Sequence, residues 1–125
     1  EINCETDFVA RADDFKNFAH DIAMQIAATN PEFVSPADIP EQVIEKEKEL
    51  YRAELEGQNK PTEIIEKIVT GKLDKYYQMV CLTRQPFVKD PDRQIDDLTK
   101  ALIAKLGENI VIRRFSRLEL GGSSG

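Results

Sequence analysis

Four apolar stripes at helical spacing, each cut short by proline or glycine, limit what this chain can become more than any other feature. Phe15, Phe18, Ala19, Ile22, Ala23, Ile26 and Ala27 recur at three- and four-residue steps, while Asp14, Lys16, Asp21 and Gln25 fall on other faces. That pattern predicts an amphipathic helix from about Asp13. Asn30-Pro31 ends it, because the residue before proline is pushed out of helical angles. A cap-then-acid run, Ser35-Pro36-Ala37-Asp38, and Pro40 at a first helical position introduce a second helix, Glu41 to about Glu56. Its seam of Val43, Ile44, Leu50, Tyr51 and Leu55 is thin and interrupted by Glu47, so it is expected to be peripheral and largely solvated.

Gly57-Gln58-Asn59-Lys60-Pro61 is a loop signal. Beyond it Ile64, Ile65, Ile68 and Val69 share a face, Gly71 marks a break or a close approach, and Leu73, Tyr76, Tyr77, Val80 and Cys81 resume the period. Pro86 and Pro91 exclude a helix and predict extended chain. Ile95, Leu98, Leu102 and Leu106 form the last helical stripe, closed by Gly107. Strands are expected at Ile2 to Glu5, at Glu32-Phe33-Val34 and, longest, from Glu108 to Leu120. In that last strand Ile110, Ile112, Leu118 and Leu120 should point one way, with Val111, Arg113, Phe115, Arg117 and Glu119 opposite. The fold class is therefore α+β: a small antiparallel sheet of about three strands packed with several amphipathic helices. Residues 1–120 are expected to form one domain, followed by a flexible Gly/Ser linker or tag at 121–125.

Composition narrows the chemistry. Seventeen Lys and Arg against 23 Asp and Glu give a net charge of −6, which argues against binding a phosphate backbone, so no direct nucleic-acid contact is expected. No apolar run approaches the roughly 20 residues of a membrane span, and the first residues lack the pattern of a signal peptide. Cys4, Cys81 and the single His20 are too scattered for a metal site. Gly71-Lys72 is not a phosphate loop, since Glu66 stands where the earlier glycine is needed. A Cys-dependent enzyme would need Cys4 or Cys81 activated by His20. Cys81, however, reads as a core thiol and His20 as a surface residue. Asp13-Asp14 and Asp96-Asp97 sit at helix starts, where acids are favoured anyway. Neither an enzyme nor a cofactor is expected.

One segment, Cys4-Glu5-Thr6-Asp7-Phe8-Val9-Ala10-Arg11, resists a purely structural reading. Thr6 can cap a short helical turn and Asp7 suits its positive end. Phe8 could fold into the core of such a turn. Asp7 and Phe8 could equally point outward together, a ring for a partner's pocket with a charge beside it.

The run Glu1 to Arg11 resembles the signature of the elongation factor Ts family, exchange factors for elongation factor Tu in bacteria and organelles. The resemblance continues through Phe15 to Ile26, Glu63 to Val69, Gln85 to Asp90 and Gly107 to Phe115, about residues 1 to 121 in all. It implies the core and dimerisation region of a short-form member, without the second core half, the long coiled-coil insertion or the amino-terminal helical module. It implies guanine nucleotide exchange during translation elongation, with no bond made or broken. Thr6, Asp7, Phe8 and Val9 would be the partner-binding residues: Phe8 wedges between helices near the magnesium and phosphate site, Asp7 disturbs the network holding Mg²⁺, and Thr6 and Val9 shape the corner. A homodimer is expected, with Val111, Arg113, Phe115 and Arg117 as the candidate dimer face and, since Ser116 is no cysteine, no disulfide there. The resemblance implies a cytoplasmic setting, or a plastid or mitochondrial one. The alternative is a scaffold or dimerisation domain that has lost exchange activity with the missing module.

Overall fold

The computed structural model describes residues 1–121, so the expected linker lies, beyond Gly121, outside the described residues. The chain runs β1 (Ile2–Asn3), α1 (Asp7–Ala10), α2 (Asp13–Thr29), α3 (Glu41–Leu55), α4 (Thr62–Val80), β2 (Pro86–Phe87), β3 (Asp90–Gln94), α5 (Ile95–Leu106) and β4 (Val111–Ile112). Single 3-10 turns at Pro36–Asp38 and Leu82–Arg84 join the longer pieces. This is the α+β class read from the sequence. Its strands form two antiparallel pairs, β1 with β4 and β2 with β3, rather than one sheet of three.

The helix ends follow their local chemistry. Asn30 closes α2 in the left-handed conformation at φ 48, and Gly107 closes α5 at φ 73. At the start of α5 the Asp97 carboxylate accepts from the Gln94 N–H at 3.0 Å, and in the turn before α3 Asp38 does the same for Ser35 at 3.1 Å. Phe15, Phe18, Ile22 and Ile26 of α2 pack with Leu82, Phe87, Ile95 and Leu102 into the central core, which Val9, Ile110 and Ile112 complete. Phe33 makes a parallel bridge to Cys81, so the expected strand there is a single rung.

Away from the core, α3 and α4 form an antiparallel helical arm. Its short loop leaves no other arrangement, and two ion pairs bridge the helices, Arg52 with Glu66 and Lys72 with Glu54. Lys72 Nζ also lies 5.7 Å from the centre of the Tyr51 ring. Burial and the carboxylate of Glu47 push the Tyr51 hydroxyl up to about 12. The arm is clamped by Leu55, Val69 and Leu73, all buried.

Several expectations need correction. Leu50 is 59% exposed and does not belong to the α3 seam, where Glu47 is half-buried instead. Gly71 neither breaks α4 nor approaches a neighbour: the helix runs through it, and a Cβ there would meet nothing within 4 Å. Gln25, assigned to a polar face, is completely buried. The long final strand is only Val111–Ile112. Beyond it the alternation fails: Phe115 packs against the core while Leu118 and Leu120 stand in solvent. A pleat persists only while a neighbouring strand holds it, and β1 offers just two residues to pair, Ile2 with Ile112 and Asn3 with Val111.

Candidate functional site

The corner between β1 and α2 is built from its backbone outward. Asn3 pairs with Val111, which brings the start of the chain beside the segment after α5. There the Glu108 carboxylate accepts two hydrogen bonds from Thr6, one from its N–H at 3.1 Å and one from its hydroxyl at 2.7 Å. Glu5 returns the tie by accepting the Asn109 N–H at 3.4 Å. Thr6 is extended and caps α1, its hydroxyl accepting the Val9 N–H at 3.4 Å. The Ala10 and Arg11 N–H groups close the turn onto the Thr6 and Asp7 carbonyls at 3.2 and 3.1 Å.

This frame decides where each side chain goes. Val9, 3% exposed, plugs into the core and anchors the turn from below. Phe8, one residue earlier on a helix of four, must then point elsewhere, and it is 85% exposed. Asp7 is exposed beside it, in the first turn of α1. The outward arrangement of the acid and the ring is therefore the one adopted. A phenyl ring left in water is an unused source of binding free energy, about 2–3 kcal/mol on full burial. Of the four residues singled out in the sequence, two project and two hold them in place.

Glu108 was missed as part of the site. It lies 102 residues from Thr6, and only the pairing of β1 with β4 brings it there. The other candidate group is not brought together as one face. Val111 and Arg113 are exposed, whereas Phe115 sits half-buried in a groove with Phe15, Ala19 and Ile22, and Arg117 is half-buried with its guanidinium donating to the Ala27 carbonyl at 3.4 Å.

The thiols give little to covalent chemistry. Burial pushes Cys81 up to about 11, so it stays protonated at neutral pH, the reverse of an activated nucleophile. Cys4 donates to the Thr6 carbonyl at 3.3 Å, inside the frame of the corner. His20 is exposed on α2. Among the described residues no cluster of three or more His, Cys, Asp or Glu side chains is placed to hold a metal, and no helix is long and apolar enough to cross a membrane.

Comparison with known proteins agrees with the opening motif. The family model described as Elongation factor TS matches residues 16–101. Elongation factor Ts of Thermodesulfovibrio yellowstonii is 55% identical over 121 residues, covering 97% of this chain and 60% of the relative. The Carboxydothermus hydrogenoformans protein of the same name is 58% identical, with 97% and 56% covered. That of Coprothermobacter proteolyticus is also 58% identical, with 97% and 61% covered. The chain thus spans about three-fifths of the length of the curated relatives it matches. With more than half of its residues matched by one family model, and with that degree of identity across nearly all of its length, the chain belongs to the elongation factor Ts family.

Proposed function

We propose that this chain acts in translation as a guanine nucleotide exchange factor for elongation factor Tu, and that the corner Thr6-Asp7-Phe8-Val9 is its working end. The observation that carries the reading is the exposed Phe8 ring, held out by a buried Val9 and a doubly bonded Thr6. Phe8 enters the GTPase domain of the partner near its magnesium and phosphate site, and Asp7 brings a negative charge against the groups that hold Mg²⁺. The corner is pre-organised, so little conformational freedom is lost on docking.

The work is done by differential binding, without covalent chemistry. A factor that binds the nucleotide-free partner more tightly than the GDP-bound partner must, by reciprocity, weaken GDP binding by the same ratio. A thousandfold effect needs a preference of about 4 kcal/mol, at 1.4 per decade. Burial of one phenyl ring supplies about 2–3 kcal/mol, and the wider interface supplies the remainder. Residues 1–120 act as one core and dimerisation unit. Homodimer contact draws on the exposed Val111 and the solvent-facing Leu118 and Leu120, with Phe115 contributing from the groove beneath.

The test adds purified chain to elongation factor Tu loaded with fluorescent GDP, at low and high Mg²⁺. Release accelerated in proportion to added chain supports exchange, most strongly at high Mg²⁺, where spontaneous release is slowest. Release at the spontaneous rate at every concentration identifies a scaffold instead.

A further inference from the structure

Beside the root of the arm lies a polar knot that no catalytic or partner-binding role so far absorbs. Gln25 is wholly buried near the end of α2, and Gln85, in the loop before β2, is 4% exposed. The Gln25 amide donates to Gln85 Oε1 at 3.2 Å and to the Pro86 carbonyl at 3.0 Å, while its oxygen accepts the Val88 N–H at 2.9 Å. Gln85 Oε1 also accepts the Thr29 hydroxyl at 2.8 Å, and its amide donates to the Met79 carbonyl at 3.1 Å. The Gln85 carbonyl accepts the Ile95 N–H at 3.0 Å. The two side-chain amides therefore join α2, the root of the arm at the end of α4 and the loop between β2 and β3, and the backbone carbonyl of Gln85 ties the same knot to the first turn of α5.

Two apolar side chains would fill this space without the cost of desolvating amides. What the amides add is direction, because a satisfied buried network permits one register and penalises the neighbouring ones. Gln25 lies on α2, the helix that follows the corner, 12 residues beyond its first residue Asp13, or about 18 Å along the axis. The geometry points to Gln25 and Gln85 as positioning residues that hold the Val88 loop and the root of the arm at a fixed distance from Phe8, so that all three meet a partner as one rigid body. The functional half of this inference rests on the exchange reading above.

The experiment compares wild type with Gln25→Met, Gln85→Met and the milder Thr29→Val, which removes only the hydroxyl that lies 2.8 Å from both Gln85 Oε1 and the Gln25 carbonyl. Arg52→Ala, which deletes the exposed ion pair with Glu66 near the tip of the arm, serves as a control. NMR hydrogen exchange at Val88 and Ile95 reads the network, and the dependence of GDP release on chain concentration reads its use. The expected result is faster exchange at both amides and a half-saturating concentration raised about fivefold in Gln25→Met, the equivalent of one hydrogen bond of about 1 kcal/mol. The limiting release rate stays at the wild-type value, as do all readouts in Arg52→Ala. Should the methionine variants fail to fold, Thr29→Val decides by the same signs. Unchanged amide protection, or a lowered limiting rate at constant half-saturation, overturns the inference. If wild type itself leaves GDP release untouched, the exchange reading falls and the functional half falls with it, while the amide measurements still decide the network.

Discussion

Removing the Glu108 carboxylate should loosen the corner without touching the residues that project from it. Glu108→Ala deletes both hydrogen bonds to Thr6, at 3.1 and 2.7 Å, and leaves the Thr6 N–H to water. Hydrogen bonds to a charged acceptor contribute about 1.5–3 kcal/mol when well shielded. Here Thr6 is exposed and water can replace the lost partner, so the cost to global stability is about 1 kcal/mol. For a domain of this size that is a fall of about 4 °C in Tm. The functional effect should be larger than the loss of stability suggests, because the ring must now be ordered during docking. Ordering a turn of three or four residues costs several kcal/mol in principle, but Val9 still anchors one end, which leaves about 1 kcal/mol. GDP release at fixed chain concentration should then slow about fivefold. Glu108→Gln, which keeps one acceptor oxygen, should fall between. Thermal melts followed by circular dichroism and stopped-flow release of labelled GDP provide the two readouts. Melts lowered by 4 °C with release unaltered would show that pre-organisation of the corner is irrelevant, and neither quantity changing would show that the Glu108 tie does not exist in solution.

Two glycines should respond to alanine in opposite directions. Gly71→Ala should stabilise the chain by about 1 kcal/mol in urea titrations, since Gly71 lies within α4 with open space around it. Gly107→Ala should destabilise by about 1 kcal/mol, because its φ of 73 is strained for any side chain although nothing crowds it. Cys81 should resist alkylation in the folded protein while Cys4 reacts, and both should react in denaturant. Its thiol is raised from 9.0 to about 11, so the stability tied to its neutral form is complete below pH 9 and is lost as pH climbs through 11. Urea melts between pH 8 and 11 should follow that course, and a Cys81→Ala variant should lack it.

Where apolar residues follow one another at a fixed helical step, the sequence was legible. The stripe from Phe15 to Ile26 and the one from Ile95 to Leu106 depend on near neighbours alone, and both became helices with the expected ends. Thr6 as a cap was equally local. Legibility stopped where a partner distant in the chain decides. Gln25 is polar and falls off the apolar stripe, but Gln85, Pro86 and Val88, 60 to 63 residues on, supply the bonds that make its burial tolerable. Glu108 carries no mark of its role until β1 lies beside β4. The strand β3 was invisible because Asp90-Pro91-Asp92-Arg93-Gln94 has no alternation, being held by β2 on one edge and not by a buried face. The apolar alternation from Glu108 to Leu120 misled for the converse reason: a pattern suited to a strand does not make one where nothing pairs with it. In the site, the residue types at the corner were readable, and the direction of Phe8 was not.

The projecting acid and ring should prefer an elongation factor Tu emptied of nucleotide. Titration calorimetry of this chain and of Phe8→Ala against nucleotide-free and GDP-bound partner measures that preference directly. Wild type should bind the empty form about a thousandfold more tightly, and Phe8→Ala, still folded, should lose most of the difference. Equal affinity of wild type for the two forms, or a preference that survives intact in Phe8→Ala, would contradict it.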